Sequence, residues 1–255
     1  MMHKARVLIS LLGVLAVWQL IVWIEIVPET YLPGPLATVQ ALWEGLASGE
    51  LSLALLQTVV RAVLGLLAST AVALGLALMT ARYQRLRQAI DPIAEFLRPL
   101  PPAALVPLSI FFLGLSWKLH AFIVLFACIW PIYLNAAAAL KSVSLVQIRS
   151  AASFGYEGWS RVLHVQLPAA LPDVFTGIRI AGAIALIAVI VTEMLAGRDG
   201  LGFVLNDTAM TLRIPETFAG LLLAMLTGLA MNALVVLVRN RVIAWNIGMT
   251  ASNRS

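Results

Sequence analysis

The chain has 255 residues, of which 61% are apolar and only 11% charged, and its mean hydropathy is +0.96. A soluble domain carries roughly a quarter charged residues, so this composition excludes a water-covered globule and makes lipid the solvent. The net charge of +5 does not point to nucleic acid, because no basic stripe with interleaved aromatics accompanies it; the positive charges read as markers at helix ends.

In chain order, residues 7–24 are uncharged and follow Lys4 and Arg6. The run passes straight into Glu25, Pro28 and Glu29 with no small-x-small cleavage site, so it reads as an uncleaved first span, with Trp18 and Trp23 toward its outer half. A polar connection runs from Pro28 to about Ser52; within it, Ala37 to Leu46 has helical spacing, with Trp43 and Leu46 on one face. Arg61 marks a boundary before the second span, 62–81, where Gly65, Ser69, Ala73 and Ala77 recur every four residues. Such a stripe of small residues lets two helices approach closely.

Arg82, Arg85 and Arg87 form a basic loop, and Pro99, Pro101, Pro102 and Pro107 then interrupt the third span, about 99–116. Broken backbone in a membrane is tolerated where protein buries it or where it lines a cavity. The third span is therefore either a gate element or a kinked structural helix. Lys118 and His120 punctuate the next outer turn, and the fourth span, 119–140, carries Pro131 and Asn135. The fifth, 174–197, has Arg179 near its inner end and Glu193 near its outer end, and the sixth, 217–238, repeats Gly220, Ala224 and Gly228.

Six spans put both termini on one side. With both inside, Lys4, Arg6, Arg82, Arg85, Arg87, Arg98, Lys141, Arg149, Arg161, Arg239, Arg241 and Arg254 are cytoplasmic, against Arg61, Lys118, Arg198 and Arg213 outside. That asymmetry sets the orientation by the positive-inside rule. The fold expected is all-α and polytopic, with about six transmembrane helices and both ends in the cytoplasm.

One long polar interval remains, Lys141 to Asp173, and it falls on the cytoplasmic side. Ser144 and Gln147 fit a capping box that starts a helix. Leu145, Ile148 and Ala152 form its apolar face, and Gly155 stands where a helix end needs a left-handed residue. A second helix runs from about Glu157 to Gln166, with Trp159, Val162 and Leu163 as its apolar face, and Pro168 halts it. Two readings stand side by side: a short helix that enters a groove on another protein, or an amphipathic pair resting on lipid headgroups.

At this point the sequence resembles a known family. Ala151-x-x-x-Gly155-x9-Val165-x-Leu167-Pro168 is similar to the EAA loop of permease subunits of binding-protein-dependent ABC importers. Leu32-Pro33-Gly34-Pro35, Asp91-Pro92, Arg98-Pro99-x-Pro101-Pro102, Pro107-Leu108, Leu167-Pro168-x-Ala170-Leu171-Pro172, Thr176-Gly177-x-Arg179 and Glu193 with Gly200-Leu201-Gly202 resemble the branch that handles taurine, alkanesulfonates, nitrate, cyanate, bicarbonate and thiamine-precursor pyrimidines. The loop departs from the general pattern at its leading Glu-Ala positions, which are Arg149 and Ser150 here. Taurine-type permeases resemble this chain in having a basic residue there, which favours a sulfonate.

The resemblance implies a type I importer permease that works as a homodimer in a bacterial inner membrane. Two ATPase subunits would sit below it and an extracytoplasmic solute-binding protein outside. The implied organisation is an N-terminal transmembrane helix at 1–27, a periplasmic connection at 28–54, a permease core at 55–241 with its cytoplasmic coupling segment at 141–173, and a cytoplasmic tail at 242–255. It also implies that Arg149, Ser150, Ala151, Ala152, Ser153, Phe154, Gly155, Tyr156, Glu157, Leu167 and Pro168 meet the ATPase. Candidates for the translocation path or gate are Arg98, Pro102, Pro107, Asn135, Arg179 and Glu193.

Glu193, the carboxylate deep in an apolar run, reads as structural or at the dimer interface before it reads as a substrate contact. Arg179 reads as snorkelling to the cytoplasm or pairing with Asp173, and Gly197, Gly200 and Gly202 as a turn.

Two further points come from the residues alone. A phosphate-binding loop needs Gly-Lys-Ser/Thr, yet the lysines are Lys4, Lys118 and Lys141 and none follows a glycine. No cofactor is therefore expected in this chain, and ATP and Mg²⁺ would belong to a partner. The single Cys128 and the scattered His3, His120 and His164 have no ligand spacing, so no metal is expected. A membrane-embedded enzyme should show clustered His, Glu or Asp within spans, and the intramembrane polar set is sparse. An ATP-independent secondary transporter or channel is the alternative, weakened by the lack of an internal repeat.

Overall fold

In lipid a segment satisfies its own backbone most simply as a helix, and every described element is helical. The computed structural model describes residues 2–25, 27–28 and 30–244. The helices are α1 (Met2–Trp23), α2 (Pro35–Ala47), α3 (Glu50–Arg82), α4 (Gln84–Leu97), α5 (Pro102–Leu113), α6 (Trp117–Ser142), α7 (Leu145–Ser153), α8 (Gly158–Arg161), a π-helical turn (Val162–Gln166), α9 (Leu167–Ala196), α10 (Leu201–Met210) and α11 (Ile214–Val242). Among the described residues, four helices are long and apolar enough to cross a membrane: α3, α6, the continuous stretch Gly158–Ala196, and α11. The expected second, fourth and sixth spans fall within them and the fifth ends one residue beyond, while the expected first span, 7–24, overlaps α1, whose apolar part, Leu12–Trp23, is shorter than those four. Glu29, Arg254 and the tail from 245 onward lie outside the described residues.

The core forms where α6 packs along α3 on one side and α9 on the other. Small residues make this approach close. Gly65, Ser69, Ala73 and Ala77 of α3 are all buried, as the four-residue stripe predicts. They face Ile123, Val124, Ala127, Ile132 and Ala136 of α6, while Ala181, Ala185 and Val189 of α9 close the other side. A methyl group at Gly177 would stand 2.7 Å from Cβ of Asn135, so α9 crosses α6 at that glycine.

Several expectations need correction. The third span, 99–116, is interrupted as its prolines imply but has other bounds: α4 and α5 meet at 101° and together make a broken span or a re-entrant loop, and the 12-residue α5 alone is only about 18 Å long, too short to cross a bilayer core. Pro99, Pro101 and Pro102 place the break, since none has an N–H to continue the helix. The basic loop is helical, with Arg82 ending α3 and Arg85 and Arg87 within α4. Arg61 is no boundary either; it lies inside the 33-residue α3, and so does the division expected between 54 and 55. On α2, Trp43 is exposed while Leu46 packs inward, so the two do not share a face.

Pro168 does not halt its helix. The chain runs helically from Gly158 to Ala196, 39 residues or about 58 Å. The preceding π turn explains this: the Leu167 N–H reaches back five residues to the Val162 carbonyl. The widened turn takes up the hydrogen bond that the proline ring cannot make.

Candidate functional site

The polar interval is built from a capped helix, a reversal and the foot of the longest helix. Ser144 Oγ accepts the Gln147 N–H at 3.2 Å and opens α7. At the other end Tyr156 N–H donates to Ala151 O at 2.9 Å and Gly155 N–H to Ala152 O at 3.0 Å, which is a Schellman motif. Gly155 has φ +80°, as the sequence pattern requires of a left-handed residue. The apolar face differs from expectation. Ala151 is the buried position of α7, whereas Leu145 and Ala152 are exposed. The helix has only the narrow 158–166 segment to lie against, so a small side chain fills the contact and the larger ones project outward.

Those outward side chains are apolar: Leu145 is 68% exposed, Val146 74% and Phe154 82%. Arg149, Ser150, Ser153, Gly155, Tyr156 and Glu157 are exposed beside them, while Leu167 and Pro168 are half-buried at the foot of α9. The coupling residues named from the sequence therefore share one end of the bundle. Sequence spacing did not reveal what they rest on. Trp159 stands edge-on to Tyr83 at 6.1 Å, and Gly158 lies beside the Arg82 side chain, so the end of α3 abuts α8. Val162 is buried, while Trp159 and Leu163 stay partly exposed. Gln166 Nε2 donates to Leu140 O at 3.4 Å and links the π turn to α6. Nearby, Asp91 of α4 accepts from Tyr133 Oη at 2.6 Å and from Arg87 Nε at 3.0 Å, fastening α4 to α6. A polar cavity of roughly 200 Å³ opens here, with Thr80, Arg87, Lys141 and Gln166 in its wall.

The six path candidates each have separate surroundings. Arg98 is exposed at the end of α4, Pro102 begins α5 half-buried, and Pro107 is exposed within α5. Asn135 Nδ2 donates to Pro131 O at 2.7 Å, at the crossing with Gly177. Arg179 does not pair with Asp173; its Nε donates to Asn232 Oδ1 of α11 at 2.7 Å.

Glu193 is fully buried, 0% exposed, and its carboxylate accepts three hydrogen bonds from within the chain. Arg61 Nη1 donates to Oε1 at 2.7 Å, while Thr58 Oγ1 and the Gly202 N–H donate to Oε2 at 2.8 and 3.0 Å. Arg61 Nη2 also donates to Asp199 Oδ1 at 2.6 Å, so one guanidinium serves two carboxylates. Thr58 Oγ1 accepts the Leu201 N–H at 2.9 Å. Gly197 and Gly200 lie at the expected turn, whereas Gly202 is already within α10, and the stretch is also the wall of this cluster: Gly200 has φ +92°, and a methyl group there would overlap the Glu193 carboxylate. Sequence reading missed Thr58, Arg61 and Asp199. The available signal was that Arg61 and Glu193 are opposite charges, each set between apolar residues of a different helix, and a buried charge needs a partner.

Against known proteins, the model of the family described as binding-protein-dependent transport system inner membrane component matches residues 70–245. The putative aliphatic sulfonates transport permease protein SsuC of Bacillus subtilis (strain 168) is 27% identical over 232 residues, covering 91% of this chain and 84% of that protein. The taurine transport system permease protein TauC of Escherichia coli (strain K12) is 28% identical over 234 residues, covering 88% and 85%. The nitrate import permease protein NrtB of Leptolyngbya laminosa is 33% identical over 156 residues, covering 61% and 56%.

Proposed function

The chain belongs to the family of binding-protein-dependent transport system inner membrane components, and from that premise we propose that two copies of it form the path for a small anion through the bacterial inner membrane. Taurine, an alkanesulfonate or nitrate is the solute class that the names of its relatives support. A separate ATPase pair on the cytoplasmic side drives transport, and an extracytoplasmic binding protein delivers the solute.

One observation carries the ATPase assignment. Three large apolar side chains, Leu145, Val146 and Phe154, stand exposed around a helix that is capped at both ends, beside exposed Arg149, Ser150 and Ser153. A rigid helix presenting an apolar patch suits a groove on another protein. Arg149 and Ser150, in place of the acidic lead of the family pattern, leave that contact to apolar and neutral groups with a basic edge. Closure of the ATPases would push α7, and the Schellman turn would pass the push to the foot of the Gly158–Ala196 helix. The bundle would then rock and open to each side in turn. Arg98 and Arg179 are the cations proposed to meet the anion. Glu193 is proposed as structural, because it is fully buried and already accepts from Arg61, Thr58 and the Gly202 N–H.

The test is ATPase activity of the reconstituted complex with its binding protein, across taurine, alkanesulfonates, nitrate, bicarbonate and a thiamine-precursor pyrimidine. Stimulation by one ligand class fixes coupling and substrate together. Failure to bind any ATPase would overturn the assignment of residues 141–173, and solute movement by the chain alone would favour a secondary transporter or channel.

A further inference from the structure

We propose that Thr58, Arg61 and Glu193 are positioning residues that carry the state of the α7 end to α10, at the opposite end of the bundle. The inference rests on the reading of the chain as an ATP-driven permease.

Two fixed points join α3 to the Gly158–Ala196 helix. At the α7 end, Trp159 stands against Tyr83 and Gly158 against Arg82. At the far end, Glu193 receives hydrogen bonds from Arg61 and Thr58. The points lie about 50 Å apart along the helix. Between them Gly182 of α9 lies against Leu66 of α3, and Val63, Leu66, Phe175 and Ile178 border a cavity of roughly 280 Å³, so the intervening contact is incompletely filled and offers little resistance to sliding. With one fixed point, a push at α8 would slide or swivel the long helix past α3. With two, α3 and α9 form a closed frame that moves as one body.

The second fixed point also sets α10. This 10-residue helix has no side-chain cap of its own; its N-cap is Gly200. Its first two amides go elsewhere, Leu201 N–H to Thr58 Oγ1 and Gly202 N–H to Glu193 Oε2. The start of α10 is therefore held by α3 and α9, and any movement of the frame takes it along. Glycine at 200 lets the turn close over the carboxylate. One guanidinium faces two carboxylates here, Glu193 and Asp199, so the cluster carries a formal charge of −1 and repels a transported anion.

The test compares Thr58→Val, which exchanges the hydroxyl for a methyl of similar size, with Thr58→Ser, which keeps it, and adds Glu193→Gln. Each is reconstituted with the ATPase and binding protein. The readouts are the stimulation of ATP hydrolysis by loaded binding protein and the solute imported per ATP. Thr58→Val and Glu193→Gln are expected to assemble at wild-type yield while stimulation falls about tenfold, within the range of coupling between distant sites. Thr58→Ser is expected to keep it. The proposal is overturned if Thr58→Val keeps both readouts, or if all three variants lose activity only in proportion to assembled complex. A wild-type complex without stimulation would instead count against the permease reading itself.

Discussion

Gly155 gives the sharpest test of the coupling surface, because the structure separates backbone from volume there. Its φ is +80°, and a Cβ added to it would meet nothing within 4 Å. A substitution therefore costs only what the left-handed conformation costs, about 1–2 kcal/mol for an ordinary side chain and more for a β-branched one. Asparagine adopts this conformation routinely, since its side chain bonds locally. Gly155→Asn should leave the reversal intact, Gly155→Ala should weaken it, and Gly155→Val should weaken it most. A penalty of 1–2 kcal/mol lowers the closed-to-open ratio of the turn by a factor of roughly 5–30. The affinity of the reconstituted permease for its ATPase should fall with the closed fraction, by at most that factor, read by titrating ATPase into nanodisc-embedded permease. Solute uptake should fall in the same order. The reasoning is refuted if Val binds as wild type, or if Asn binds as weakly as Val, since the second result would make volume at the interface the cause.

Further expectations concern packing and the path. Gly65→Ala places a methyl 2.8 Å from Cβ of Val124 and should lower stability by about 1–3 kcal/mol as an overpacked contact; Val124→Ala in the same chain should restore the melting temperature in detergent. Tyr133→Phe removes the 2.6 Å bond to Asp91 and should lower stability by about 1.5 kcal/mol, the low end for a bond to a charged group, because Arg87 still pairs with Asp91. Arg179→Gln affects only an exposed bond to Asn232, so folding and ATPase binding should hold while anion uptake falls about tenfold if the guanidinium bonds the anion. Unchanged uptake would remove Arg179 from the path.

The sequence made legible what depends on composition and on local chemistry. Apolar runs located the helices that cross, the four-residue stripe predicted the buried edge of α3, and Ser144 with Gly155 bounded α7, because caps and left-handed positions are decided within six residues. Position-dependent effects were not legible. Pro168 is a helix breaker by its own chemistry, but the π turn before it supplies the missing reach, and no residue type signals that turn. Arg61 looked like the end of a span because a lone charge in an apolar stretch is expensive. Its partner lies 132 residues away, and only the fold brings the two together.

That pairing changes how the glycines near Glu193 are understood. A buried carboxylate is tolerated when donors surround it, and three donors from two elements converge on this α9 side chain: a guanidinium and a hydroxyl from α3 and an amide at the start of α10. Packing three elements around one carboxylate leaves no room for a side chain on the turn that covers it. A methyl at Gly202 would strike the Ile190 carbonyl, and one at Gly200 the carboxylate itself. The glycines are thus there for closeness rather than for phosphate. The same closeness makes the far end of the bundle stiff. If ATP-driven rocking moves helices relative to one another, the sliding must occur elsewhere, and the least enclosed elements are the short α5, the α4–α5 break at Arg98 and the exposed contact of α9 with α11 at Arg179.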